Sequence, residues 1–150
     1  MKNNKINPAL KGLGVLVGNW KATGTHGFFP GVMLHGHTSF EWIEEGAFLA
    51  MRSSIEHKDF PKGLAIFGFD DSTKKGVMIY FDSRGVSRIL EWSFEGNVLQ
   101  WWRNTSDFSQ RYSFTITDHG NTIVSKGELS KDGFTWEKDL DLEYTRIKEK

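Results

Sequence analysis

Trp136-Glu137-Lys138-Asp139-Leu140-Asp141-Leu142-Glu143-Tyr144-Thr145-Arg146 decides the fold. Its odd positions from 137 to 143 are all acidic, while positions 140, 142 and 144 are Leu, Leu and Tyr. Successive side chains of a strand point to opposite faces, so this alternation predicts a strand over 134–146 with one wet face and one buried face. On that reading Asp139, Asp141 and Glu143 form a solvated row of carboxylates. A final strand still needs a hydrogen-bonding neighbour on each edge. In a chain made of strands, pairing it with the first strand satisfies both edges and closes a barrel.

The rest of the chain supplies the other staves. Val86–Phe94, Val98–Arg103, Phe108–Thr117 and Thr122–Ser130 are separated by short turns rich in Gly, Asn and Asp, such as Glu95-Gly96-Asn97 and Asp118-His119-Gly120-Asn121. Upstream, Trp20–Thr25, Leu34–Ile43, Ala47–Glu56, Leu64–Phe69 and Val77–Phe81 read the same way, with His26–Val32 as a loop. That makes ten strands, and no second helical stretch is long enough for a parallel crossover. Asn7 before Pro8 marks a helix start, and Leu10, Leu13 and Val17 give it an apolar side, so a short N-terminal helix should lid one end. The expected fold is an all-β, ten-stranded, antiparallel up-and-down barrel occupying residues 1–150 as one domain. Ten staves enclose more room than the roughly eight whose own side chains fill a barrel, which leaves space for a ligand.

Composition narrows the function. The 19 basic and 19 acidic residues cancel, leaving no net field to attract nucleic acid or an anionic membrane. No stretch approaches the roughly 18 apolar residues of a spanning helix, and the first residues lack a signal-peptide run, so a cytoplasmic protein is expected. With no cysteine, there are no disulfides and no thiolate nucleophiles or ligands. His35 and His37 share one strand face and could hold a metal with His26, but they lie opposite Leu34, Thr38, Phe40 and Trp42 and read as a solvated pair, so no metal site is assigned. No nucleophile elbow, phosphate-binding glycine loop or zinc-protease motif occurs, and no catalytic residue is assigned.

Gly18-Asn19-Trp20 opening the first strand, with Arg146 in the last, resembles the lipocalin or calycin pattern, in which that tryptophan packs against a basic residue of the final strand. The strand count and N-terminal helix are more similar to nitrobindin, a haem-binding relative of the fatty-acid-binding proteins, and to a family of uncharacterised bacterial barrels. The match runs from Leu16-Val17-Gly18-Asn19-Trp20 through Phe108-Ser109-Gln110-Arg111-Tyr112 to Tyr144-Thr145-Arg146. Nitrobindin resemblance implies haem held by a histidine near the start of the last strand. Residues 134–146 contain no histidine, and of the residues there only Tyr144 commonly ligates haem, so no cofactor is assigned.

Alternation then places several polar groups inside. Arg88 shares a face with Leu90, Trp92 and Phe94, Gln110 and Tyr112 share one with Phe114 and Ile116, and Tyr144 sits with Leu140 and Leu142. An interior arginine needs a carboxylate, water or a ligand's anion. The expected site is a cavity with an aromatic wall of Trp42, Trp92, Phe114 and Tyr144 and a polar end of Arg88, Gln110 and Tyr112, binding a small, largely apolar molecule that can carry a carboxylate. Arg52, Tyr80, Trp102, Arg103 and Arg111 are weaker candidates because the faces of their strands are ambiguous. Rival readings are an isomerase or cyclase using Tyr or Arg in the same cavity, and a haem or nitric-oxide sensor. Because Trp101 and Trp102 are adjacent, one of them must face outward, and an outer patch of Leu99 and Trp101 predicts a homodimer.

Overall fold

A computed structural model describes residues 5–148. A 3₁₀ helix (Pro8–Leu16) precedes β1 (Gly18–His26), β2 (Leu34–Ile43), β3 (Phe48–Ile55), β4 (Gly63–Asp70), β5 (Lys75–Asp82), β6 (Ser87–Glu95), β7 (Val98–Arg103), β8 (Ser109–Thr117) and β9 (Thr122–Ser130). The last stave comes in two pieces, β10 (Glu137–Lys138) and β11 (Leu140–Arg146). Each strand pairs antiparallel with the next, β9 takes both β8 and the last stave, and β11 pairs with β1. The sheet is therefore a closed ten-stranded barrel, with the expected seam at Trp20↔Arg146 and Ala22↔Tyr144.

One end is sealed. The Asn7 side chain accepts from the Ala9 amide at 3.0 Å and caps a helix whose Leu10, Leu13 and Leu16 are fully buried. Their spacing of three, rather than the α-helical spacing through Val17, puts all three on one side of a 3₁₀ turn. The Trp20 indole donates to the Leu16 carbonyl at 2.8 Å, and the Arg146 guanidinium lies 4.2 Å over its ring. The same guanidinium donates to the carbonyls of Val15, Val17 and Gly120, satisfying the helix end that its own ladder leaves open. Burial lowers the Arg146 pKa from its ordinary value, yet the stack and these carbonyls leave no part of the charge unattended.

Aromatic side chains fill the half of the barrel beneath this lid, which corrects two of the expected site residues. Trp42 does point inward, but it packs against the core beside Gly14 of the helix. Trp92 is buried against Phe67, with its indole donating to the Gly68 carbonyl at 2.9 Å. Both belong to the plug, because alternation assigns a face and says nothing of height along the barrel axis.

The outer patch is also corrected. Leu99 and Trp101 are buried inside the barrel, opposite Phe94 and Trp92 on β6, and Trp102 takes the outer face. A dimer through Leu99 and Trp101 is excluded on that ground. Exposed apolar side chains lie instead on the adjoining strands, where Ile79 and Ile89 stand side by side across β5 and β6 with the half-buried Ile66 of β4 next to them.

The row of carboxylates is broken by one residue. Lys138 pairs with Glu128 and Leu142 with Ser125, so four steps along the last stave match three along β9. The extra residue is a β-bulge, which lets two successive side chains point to the same face. Asp139 therefore turns inward beside Leu140 and is 5% exposed, while Glu143 stays in solvent. The Asp139 amide and carbonyl remain bonded, to Gly127 and Gly27, so the bulge leaves no backbone orphan there.

Candidate functional site

The open half of the barrel holds a cavity of about 520 Å³. Met51, Met78, Leu90, Trp101, Phe114 and Leu142 give it an apolar wall. Of the residues singled out from the sequence, Arg88, Gln110, Tyr112, Phe114 and Tyr144 line it, and Trp42 and Trp92 do not. A hollow of about 540 Å³ also opens on the outside, around His37, Arg52 and Phe81.

Polar side chains converge on one side of the mouth, around the bulged Asp139. Its carboxylate accepts from His26 Nε2 at 2.7 Å, from Gln110 Nε2 at 2.9 Å and from the Tyr112 hydroxyl. His26 is the last residue of β1 rather than part of the following loop. Its Nδ1 accepts from the Phe28 amide at 2.9 Å, so the proton sits on Nε2 and both ring nitrogens are engaged. Burial first, and then the Asp139 charge, push the Tyr112 phenol well above its ordinary pKa. Burial likewise raises Tyr144, whose hydroxyl bonds with Thr38. Both phenols stay neutral near pH 7. Tyr112 fits here because its cross-strand partner is Gly127, where a Cβ would come within 2.4 Å of the ring.

The β1–β2 loop folds over this polar corner. Phe29 packs on His57 and Phe60, and His26 touches Phe28, Phe29 and Phe60, with ring centroids between 4.9 and 5.9 Å. The resulting aromatic flap lines part of the mouth and is tied to Asp139 through His26.

Across the mouth the charge is positive. Arg84 pairs with Asp82 at 2.7 Å, and Tyr80 donates to the same carboxylate at 2.7 Å. The Arg84 bonds hold Asp82 well below the usual carboxylate range, and burial with the Asp82 bond pushes Tyr80 up to about 12. Arg88 and Arg103 have no such partner. Their guanidinium carbons lie 4.9 and 5.9 Å from the ring centre of Phe108, and Arg103 Nε is buried with no hydrogen bond to any described residue. Burial, then the neighbouring charges of Arg103 and Arg84, lower the Arg88 pKa from its ordinary value.

The inner histidine and the last-stave tyrosine are poorly placed to ligate haem. His26 is buried with both nitrogens bonded, burial keeps Tyr144 neutral, and His35 and His37 lie on the exposed face of β2. Neither inner side chain offers a free ligand atom. Among the described residues no group of three or more His, Asp or Glu side chains is placed to hold a metal ion. None of the described helices is long and apolar enough to cross a membrane.

No family model and no curated protein matches the chain. Solved structures do. Rv2717c from M. tuberculosis superposes with a TM-score of 0.67 at 13% identity, over 95% of this chain and 99% of that one. The S-type phycobiliprotein lyase CPES from Guillardia theta superposes with a TM-score of 0.59 at 10% identity, over 93% of each chain. At these identities the likeness is one of fold alone, a ten-stranded barrel.

Proposed function

We propose that this barrel binds a small, largely apolar molecule in its open half, with the molecule's polar end toward the arginines of the mouth. The observation that carries the reading is the cavity itself. About 520 Å³ bounded by methionine, leucine and aromatic side chains, with a small number of polar groups among them, is the usual build of a small-molecule site. Its depth is set by the aromatic plug, so an occupant enters from the flap end and stops at the level of Trp101 and Phe114.

Binding is favoured over acid–base chemistry because the obvious catalytic groups are spent on one another. His26 uses both nitrogens, the Tyr112 hydroxyl donates a hydrogen bond to Asp139, and Gln110 donates to a carboxylate oxygen of the same residue. This network fixes the wall and ties down the flap. The likeness to a phycobiliprotein lyase shows only that such a fold can also belong to an enzyme.

Two measurements test the reading. Native mass spectrometry of the protein as purified should show a co-purified small molecule, or else the emptied protein should bind N-phenyl-1-naphthylamine, a neutral apolar dye, saturably and near 1:1. Trp101→Arg, which puts a charge into the apolar wall, should abolish that binding. No bound mass together with no saturable dye binding would refute it.

A further inference from the structure

We propose that Arg88 and Arg103 together seat a doubly charged, phosphate-class head group on the molecule held in the cavity. This deepens the binding reading above and rests on it. Arg88 on β6 lines the cavity, and Arg103 on the neighbouring β7 stands just behind it, both approaching the same cavity-lining ring, Phe108. Arg103 shares the inward face of Leu99 and Trp101, and its strand partner Gln110 lines the cavity.

No carboxylate of the described residues forms an ion pair with either arginine. Asp82 is committed to Arg84 and Tyr80, and Asp139 to His26, Gln110 and Tyr112. Asp59, on the flap side of the cavity, is exposed and stands beside His57. Two like charges held near one another, one with a buried N–H left without an acceptor, cost stability in the empty protein. An anion at that point removes both costs.

The pair also says which anion. One carboxylate would leave one of the two positive charges unbalanced, whereas a phosphomonoester presents three oxygens and a charge near −2. The ring of Phe108, which both guanidiniums approach and which lines the cavity, offers an apolar contact for the first carbons of the ligand.

The test is displacement of N-phenyl-1-naphthylamine at pH 8 by decyl phosphate, decanoate and decanol, which share one apolar body. Decyl phosphate should displace the dye at a concentration about tenfold below that of decanoate, with decanol weaker again. Arg103→Met should erase most of the phosphate advantage while leaving decanol unchanged. Arg103→Lys, which keeps the charge and loses the fork, should fall between. Calorimetry with inorganic phosphate separates the sources, because free phosphate lacks the apolar body and should bind at least tenfold more weakly than decyl phosphate.

Equal displacement by all three competitors would overturn the proposal in the wild type alone, whatever the variants do. So would unchanged selectivity in Arg103→Met, or inorganic phosphate binding as tightly as decyl phosphate. Failure of the dye to bind, together with no co-purified mass, refutes the cavity reading instead, which keeps the two outcomes apart.

Discussion

Replacing Asp139 with alanine tests the bulge directly. By simple alternation Asp139, Asp141 and Glu143 are equivalent surface carboxylates, and removing any of them should change stability by less than about 0.5 kcal/mol. In the structure Asp139 accepts from three buried or half-buried donors, His26 Nε2, Gln110 Nε2 and the Tyr112 hydroxyl. A donor left unsatisfied costs about 1–3 kcal/mol, and three of them would cost roughly 3–9. Two effects reduce this. His26 and Gln110 stand at the mouth, where water can reach them, and deleting a buried carboxylate also recovers its own desolvation cost. The expected loss for Asp139→Ala is about 3 kcal/mol. With a urea slope of about 2 kcal/mol/M, the unfolding midpoint should fall by roughly 1.5 M, while Glu143→Ala should leave it in place. Asp139→Asn should lie between, since an amide keeps one acceptor and turns a donor toward a donor. Equal midpoints for Asp139→Ala and Glu143→Ala would show that Asp139 faces solvent and that the bulge is misplaced.

Other expectations concern the two ends separately. Trp20→Ala empties the sealed end and should cost about 3–5 kcal/mol by urea denaturation, with dye binding in the still-folded protein changed by less than about twofold. All three tyrosines of the chain are raised, with Tyr80 pushed up to about 12. An absorbance titration of the folded protein should therefore show no tyrosinate step near pH 10, whereas the urea-unfolded chain should show the full step there. The sign follows: their contribution to stability is intact below about pH 10 and is lost as pH rises through the folded values, so alkali should unfold the barrel and release the phenols together. Gly127→Ala drives a methyl into the Tyr112 ring, and should cost about 1–3 kcal/mol and bring one tyrosinate step back toward pH 10.

The barrel was legible because alternation is a local property. Each residue of 140–146 meets either water or the interior, and the sequence records which. The same logic placed Arg88, Gln110, Tyr112, Phe114 and Tyr144 on inward faces, and all five line the cavity. Height along the axis leaves no such record, so Trp42 and Trp92 were given the right face and the wrong end. The bulge was invisible for a different reason. An extra residue is defined only against its partner strand, and nothing in Lys138-Asp139-Leu140 marks the slip. That hid Asp139, and with it the role of His26. Trp101 and Trp102 could not be told apart from their own neighbourhood, and Arg103, two positions from Trp101 on the same strand, stayed ambiguous with them.

The seam where β11 meets β1 has a kinetic consequence. Arg146 bonds the Val17 carbonyl across 129 positions of sequence, and the lid over the sealed end depends on the same side chain. Every other pairing except β9 with β11 joins consecutive strands across a short turn, and those hairpins can zip one after another as the chain is made. The seam requires both extremes of the barrel at once. Loop-closure entropy makes such long-range contacts late ones. Until they form, β1 and the last stave expose unpaired edges, and the aromatic plug lacks its cover. A refolding intermediate with near-native far-ultraviolet signal but with Trp20 still quenchable by iodide is the expected signature, and the seam is where aggregation would compete with folding.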